Sequence, residues 1–170
     1  DRLALYSFIH SLNTNFGTAI FEPVAEEIAK HNFKTARSHT IAGEFIYQGA
    51  LDEIDKIVRN LTTATSSVNK IEEIARLRAV CQTGSKQRVK PTQVDLLVES
   101  HAGELYLFDL KTAKPNAGGF KEFKRTLLEW VAAVLASNPD AVVNTLIAIP
   151  YNPYEPEQYH RWTMRGMLDV

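Results

Sequence analysis

In VDLLVESHAGELYLFDLKTAKPN, residues 94–116, Asp109 and Lys111 stand two positions apart at the end of an apolar run, and Asp95 is isolated in the apolar stretch before it. Charges placed among Leu, Val, Tyr and Phe lose hydration, which costs several kcal/mol unless something compensates. A hairpin turning at about His101 to Gly103 returns the first strand close to the second, so that Asp95 approaches Asp109. Alternation along the second strand puts Asp109 and Lys111 on one face, with Leu105 and Leu107 behind them. Two carboxylates and an ammonium then share one strand end. A divalent cation is the natural compensation for two acids at that range, and oxygen-only ligands suit Mg²⁺, which keeps waters for a phosphate substrate. Such a centre can generate hydroxide and neutralise charge developing on a phosphodiester, while Lys111 orients or deprotonates the water. An isolated D-x-K triplet is more often a solvated strand-edge pair. The hairpin and the preceding acid are what favour chemistry here.

These residues need elements to hold them. QVDLLVES and ELYLFDLKTA, joined by HAG, predict two antiparallel strands. Upstream, Phe16, Ile20, Val24 and Ile28 recur every four residues and predict an amphipathic helix, which Pro23 kinks or restarts. A second helical pattern runs from Leu51 to Leu61 with Ile54, Ile57 and Val58 on its face, and a third from Val68 to Val80. Downstream, Phe120, Phe123, Leu127, Trp130, Val131 and Val134 form a helical stripe, followed by the buried strand NTLIAIP and the turn YNPYEP. The order is helices, hairpin, helix, strand, an α/β arrangement.

The 170 residues, 45% hydrophobic and 23% charged, suffice for one well-buried core, and no repeat or Pro/Gly-rich linker divides them, so one domain over 1–170 is expected. A net charge of −1 requires that any polyanion be met by a local patch. The single cysteine, Cys81, excludes an internal disulfide and a multi-cysteine zinc site, and suits packing in a reducing cytoplasm. The five histidines show no paired metal spacing and are expected to be structural or exposed. No apolar run reaches the length of a membrane span. The chain opens without Met and stops at MRGMLDV, in what reads as the middle of an element, so both ends are expected to be trimmed.

VDLLVESHAGELYLFDLKTA resembles the signature of PD-(D/E)xK nucleases, an acid on one strand and (D/E)xK on the next, with Val94 in place of the usual proline. The longer stretches FDLKTAKPNAGGFKEFKRTLLEW and IAIPYNPYEPEQYHRWTMRGMLD are similar to type II restriction endonucleases of the TdeIII/MjaII kind, over roughly residues 5–170. The resemblance implies a restriction-endonuclease-like core, a mixed central sheet flanked by helices. It also implies an Mg²⁺-dependent, site-specific endonuclease of double-stranded DNA, cytoplasmic in a prokaryote. Asp95 and Asp109 would hold the metal and Lys111 would position the water. Glu22 in GTAIFEPVAEE would complete the site from the first helix, with Glu26, Glu27 and Glu44 as weaker candidates. A short GC-rich palindrome with a central unspecified base is the implied target, and cutting both strands of a symmetric site implies a homodimer or two sequential nicks. A repair or recombination nuclease of the same fold, and a non-catalytic DNA-binding or assembly domain, are the alternatives.

For DNA contact the sequence offers Lys114 and Asn116 in the loop beyond the second strand, then Lys121, Lys124 and Arg125 at helical spacing on one face. Lysines are expected on phosphates, whereas Asn and Arg can read base edges bidentately. Arg161 and Arg165, in the segment that also holds His160, are further candidates for backbone or base contact.

Overall fold

A computed structural model describes residues 16–90, 92–111, 119–159 and 166–168. The chain enters through a π-helical turn, Gly17–Phe21, that passes directly into α1, Glu22–Lys30. Pro23 supplies the reason. It has no N–H for the Ala19 carbonyl and its ring crowds that group, and widening the turn, with the Glu22 N–H on the Gly17 carbonyl, relieves both. There follow β1 (Thr35–Ile41), β2 (Phe45–Tyr47), α2 (Gln48–Thr62), α3 (Lys70–Val80), β3 (Lys86–Arg88), β4 (Gln93–Glu99), β5 (Leu105–Leu110), α4 (Phe120–Ser137) and β6 (Val143–Ala148).

The main sheet has the order β1-β4-β5-β6. β4 lies antiparallel to both β1 and β5, while β5 and β6 run parallel, as strands joined through a helix do. β2 and β3 form a separate two-stranded ribbon. On one face of the sheet α2 and α4 bury Ile54, Ile57, Val58, Leu127, Trp130 and Val131 with Leu107 and Val143. On the other, Ala25 and Ala29 of α1 pack with Phe33 on Leu96, Val98, Tyr106 and Phe108. This is a mixed sheet flanked by helices, the architecture expected from the sequence. The tight turn of the β4–β5 hairpin depends on Gly103, whose φ of +84° favours a residue without Cβ.

Two features go beyond the sequence pattern. β1 was not anticipated, since TARSHTI carries only Ala36 and Ile41 as apolar positions; it covers the edge of β4 through backbone bonds rather than through a buried face. The stripe Phe16, Ile20, Val24 and Ile28 forms one side of a helix, but the side turned outward, each residue 43–61% exposed. The small side chains Ala25 and Ala29 bring α1 closer to the sheet than branched residues could. Cys81 is buried, as a packing residue is. Among the described residues no helix is long and apolar enough to cross a membrane.

Candidate active site

The hairpin delivers three of the expected residues to one point. Leu97 pairs with Leu107 and Leu96 with Phe108, so the next step of the register sets Asp95 opposite Asp109. Asp95 Oδ2 accepts the Leu110 N–H at 2.7 Å, which holds its carboxylate against the end of β5. Asp109 is 6% exposed and its Oδ1 forms a close ion pair with Lys111 Nζ. The Lys111 N–H donates to the Ala148 carbonyl at 2.9 Å, carrying the parallel pairing past the end of β5 and keeping Lys111 on the Asp109 side. Its ammonium lies 5.1 Å from the centroid of the Phe123 ring, a cation–π contact. Gly119 gives that ring its room, for a Cβ there would stand 2.9 Å from it.

Burial pushes the Asp109 carboxyl up to about 6 from the ordinary 3.8, opposed by the Lys111 ammonium and reinforced by Asp95. Glu22 shifts in the same direction, first through burial and then through the charge of Asp95, with His39 and Lys111 pulling the other way. α1 therefore brings Glu22 into the same electrostatic cluster. Glu22 is 5% exposed. Ile20 and Val24 do not cover it; it lies on the helix side that faces the sheet.

Two contacts seat that helix. Glu26, one turn beyond Glu22, accepts the Ser38 N–H at 3.0 Å and, more closely, the Ser38 hydroxyl. Ser38 and Lys30 together hold the Glu26 carboxyl down at about 2, so it serves as a clamp to β1. Next along β1, His39 Nε2 lies 3.2 Å from Glu22 Oε2 and its Nδ1 lies 2.7 Å from Gln93 Nε2. His39 was expected to be structural or exposed, and its side chain is 51% exposed; no local sequence signal sets it apart from the other histidines. Only the register, which aligns it with Asp95, places it at the site. Glu27 pairs with Lys30, and Glu44 with Arg88, on the surface.

The donor set is that of a hard cation: carboxylate oxygens only, two of them paired, with more negative charge than Lys111 balances. Glu22 Oε2 is buried without a hydrogen-bond partner, a group that a further positive charge would satisfy. Among the described residues no three His, Cys, Asp or Glu side chains converge as a preformed metal cage. Asp95 and Asp109 would be the residues to hold such an ion, with Glu22 in the same electrostatic cluster.

The sequence model of the family described as Type II restriction endonuclease, HinfI, matches residues 1–170. The chain belongs to that family. Among curated relatives it is 25% identical over 154 residues to the type II restriction enzyme MjaII of Methanocaldococcus jannaschii, covering 90% of this chain and 40% of the relative. It is 29% and 28% identical over 156 residues to the type II restriction enzymes HgiCII and HgiEI of Herpetosiphon aurantiacus, covering 89% of this chain and 55% of each relative. The chain thus spans about half the length of these relatives, or less. No solved structure matches it.

In this HinfI-family chain the expected DNA-contact face is split. Lys121 is exposed. Lys124, expected beside it on a phosphate-facing surface, is instead 4% exposed and closely ion-paired with the equally buried Glu73 of α3. It falls on the same stripe as Phe120, Leu127 and Val131, and an ammonium sealed there does not reach a phosphate in solvent. Arg125, at about one-third exposure, is held by Asp55 of α2 and by Glu129 at 3.7 Å. Lys114, Asn116, His160, Arg161 and Arg165 lie outside the described residues. A cavity of about 290 Å³ between α3, α4, β6 and the chain beyond it is lined by Glu73, Ile74, Lys124, Leu127, Val131 and Tyr159, and Asp95, Asp109 and Glu22 are not among its lining residues.

Proposed function

We propose that this chain carries the catalytic centre of an Mg²⁺-dependent, site-specific DNA endonuclease, with Asp95 and Asp109 holding the ion and Lys111 positioning the attacking water. The observation that carries the reading is the meeting of Asp95, Asp109 and Lys111 at the end of one hairpin, in a chain of a restriction endonuclease family. When bound, the ion would lower the pKa of water and stabilise charge on the phosphoryl oxygens. Lys111 presents an ammonium fixed by Asp109 and Phe123, ready to donate to the nucleophile or to a non-bridging oxygen as negative charge grows. Hydrolysis forms a bond from the water oxygen to phosphorus and breaks the bond to the leaving deoxyribose oxygen, which takes up a proton. Glu22 adds a further carboxylate beside the pair. One such centre cuts one strand, so cleavage of both strands of a symmetric site calls for a homodimer or two nicks.

The test is plasmid digestion by the full chain with Mg²⁺, followed by sequencing of the ends, for the parent, Asp109→Ala and Lys111→Ala. A discrete fragment ladder is expected for the parent. Asp109→Ala should lose cleavage yet keep DNA affinity, and Lys111→Ala should lose at least about 100-fold in single-turnover rate. A smear from every plasmid would assign the centre to a non-specific nuclease instead. Cutting by Asp109→Ala at the parental rate under saturating Mg²⁺ would remove the site assignment.

A further inference from the structure

We propose that His39 is a positioning residue for Glu22, aiming that carboxylate at the Asp95–Asp109 pair, a role that presupposes the site just described. Ser38 pairs with Leu96 and Thr40 with Val94, so His39 occupies the register position opposite Asp95. Its φ of 51° is left-handed, a conformation that strains a residue with a Cβ and persists where surrounding contacts impose it. Two contacts fix the ring. Gln93, which pairs with Ile41 at the other end of the same strand segment, brings its amide nitrogen to 2.7 Å from Nδ1. An amide N–H donated to Nδ1 makes that atom an acceptor and leaves the ring proton on Nε2. Nε2 then carries the ring proton and lies 3.2 Å from Glu22 Oε2, off the line of a full hydrogen bond, and that oxygen has no hydrogen-bond partner among the described residues.

The arrangement is that of an outer group orienting an inner one, in which an imidazole braced on one side fixes a carboxylate on the other. The Glu26–Ser38 clamp lies one helical turn away on α1 and one residue away on β1, so the backbones carrying Glu22 and His39 are locked together. What remains free is the rotation of the Glu22 carboxylate, and His39 sets it.

Substitutions separate this role from a backbone one. His39→Gln keeps an N–H at the reach of imidazole Nε2 but tolerates the left-handed backbone poorly. His39→Asn tolerates that backbone but falls one bond short. We expect Mn²⁺ affinity, followed by electron paramagnetic resonance on the full chain, to fall about 10- to 100-fold in His39→Ala. It should recover in His39→Gln and not in His39→Asn. Recovery in His39→Asn and not in His39→Gln would overturn the proposal and leave His39 a turn-forming residue. Unchanged affinity in all three would also overturn it. Nitrogen-15 spectra of the metal-free protein give a readout independent of metal. His39 should be the Nε2–H tautomer, and its Nε2 signal should move in Glu22→Gln; the Nδ1–H tautomer, or an unmoved signal, contradicts the proposal. Asp109→Ala run in parallel distinguishes the two failures. If it too binds Mn²⁺ normally, the site itself is misassigned and this role falls with it; if it loses binding while the His39 variants do not, only the positioning role falls.

Discussion

Replacing Asp109 with Asn should stabilise the metal-free protein at neutral and alkaline pH while abolishing its chemistry. Folding raises the Asp109 carboxyl to about 6 from 3.8, so the folded chain favours the protonated form. That preference is fully present below about pH 4, fades as pH rises through 6, and leaves the ionised group opposing folding above that. A rise of this size corresponds to about 3 kcal/mol at pH 8, an order-of-magnitude figure because Lys111 and Asp95 share in it. Asn imitates the neutral acid in shape and charge, so in EDTA the variant should exceed the parent by roughly 2–3 kcal/mol at pH 8. The gap should open between about pH 4 and 6. Urea denaturation followed by tryptophan fluorescence at several pH values measures it. Mg²⁺ at 100 times its dissociation constant should restore about 2.7 kcal/mol to the parent and little to the variant, closing the gap. A variant less stable than the parent at pH 8 in EDTA, or a gap independent of pH, would refute the reasoning.

Lys124→Met should destabilise the fold by about 3–5 kcal/mol in urea, because Glu73 is left buried without its partner, and pairing it with Glu73→Leu should return most of the loss. A surface role for Lys124 predicts under 1 kcal/mol and no rescue. Lys121→Ala should leave stability alone and, if this end of α4 meets the duplex, flatten the salt dependence of DNA binding in Ca²⁺ by about one unit of slope. Unchanged affinity and slope would turn that face away from DNA.

The chemistry was more legible than its surroundings. β4 and β5 betray themselves by dense apolar residues interrupted by single charges, and a hairpin needs only its own sequence to set Asp95 against Asp109. The face of α4 was legible as well: Lys124 shares the period of Phe120, Leu127 and Val131, which marks it as inward rather than as a neighbour of Lys121. α1 misled, because periodicity finds a stripe without saying what it faces, and here the alanines meet the sheet. β1 was hidden because an edge strand held by backbone bonds leaves little hydrophobic pattern. His39 was beyond reach for the same reason: its place beside Glu22 exists only once β1 is paired with β4.

The site therefore has two halves of different origin. Asp95, Asp109 and Lys111 are set by a local hairpin and by the β5–β6 pairing, so their geometry forms whenever the sheet forms. Glu22 arrives from a separate helix, seated by Glu26 on Ser38 and flanked by His39. Loosening α1 should then weaken the third carboxylate without disturbing the other three groups. Glu26→Gln is a mild way to do so: it keeps the length of the clamp while removing the charge that Ser38 and Lys30 stabilise. If both halves serve one ion, this remote change should raise the Mg²⁺ concentration needed for half-maximal cleavage, with the rate at saturating Mg²⁺ nearly parental. A fall in the saturated rate alone would mean that α1 acts on the chemical step and not on retention of the ion.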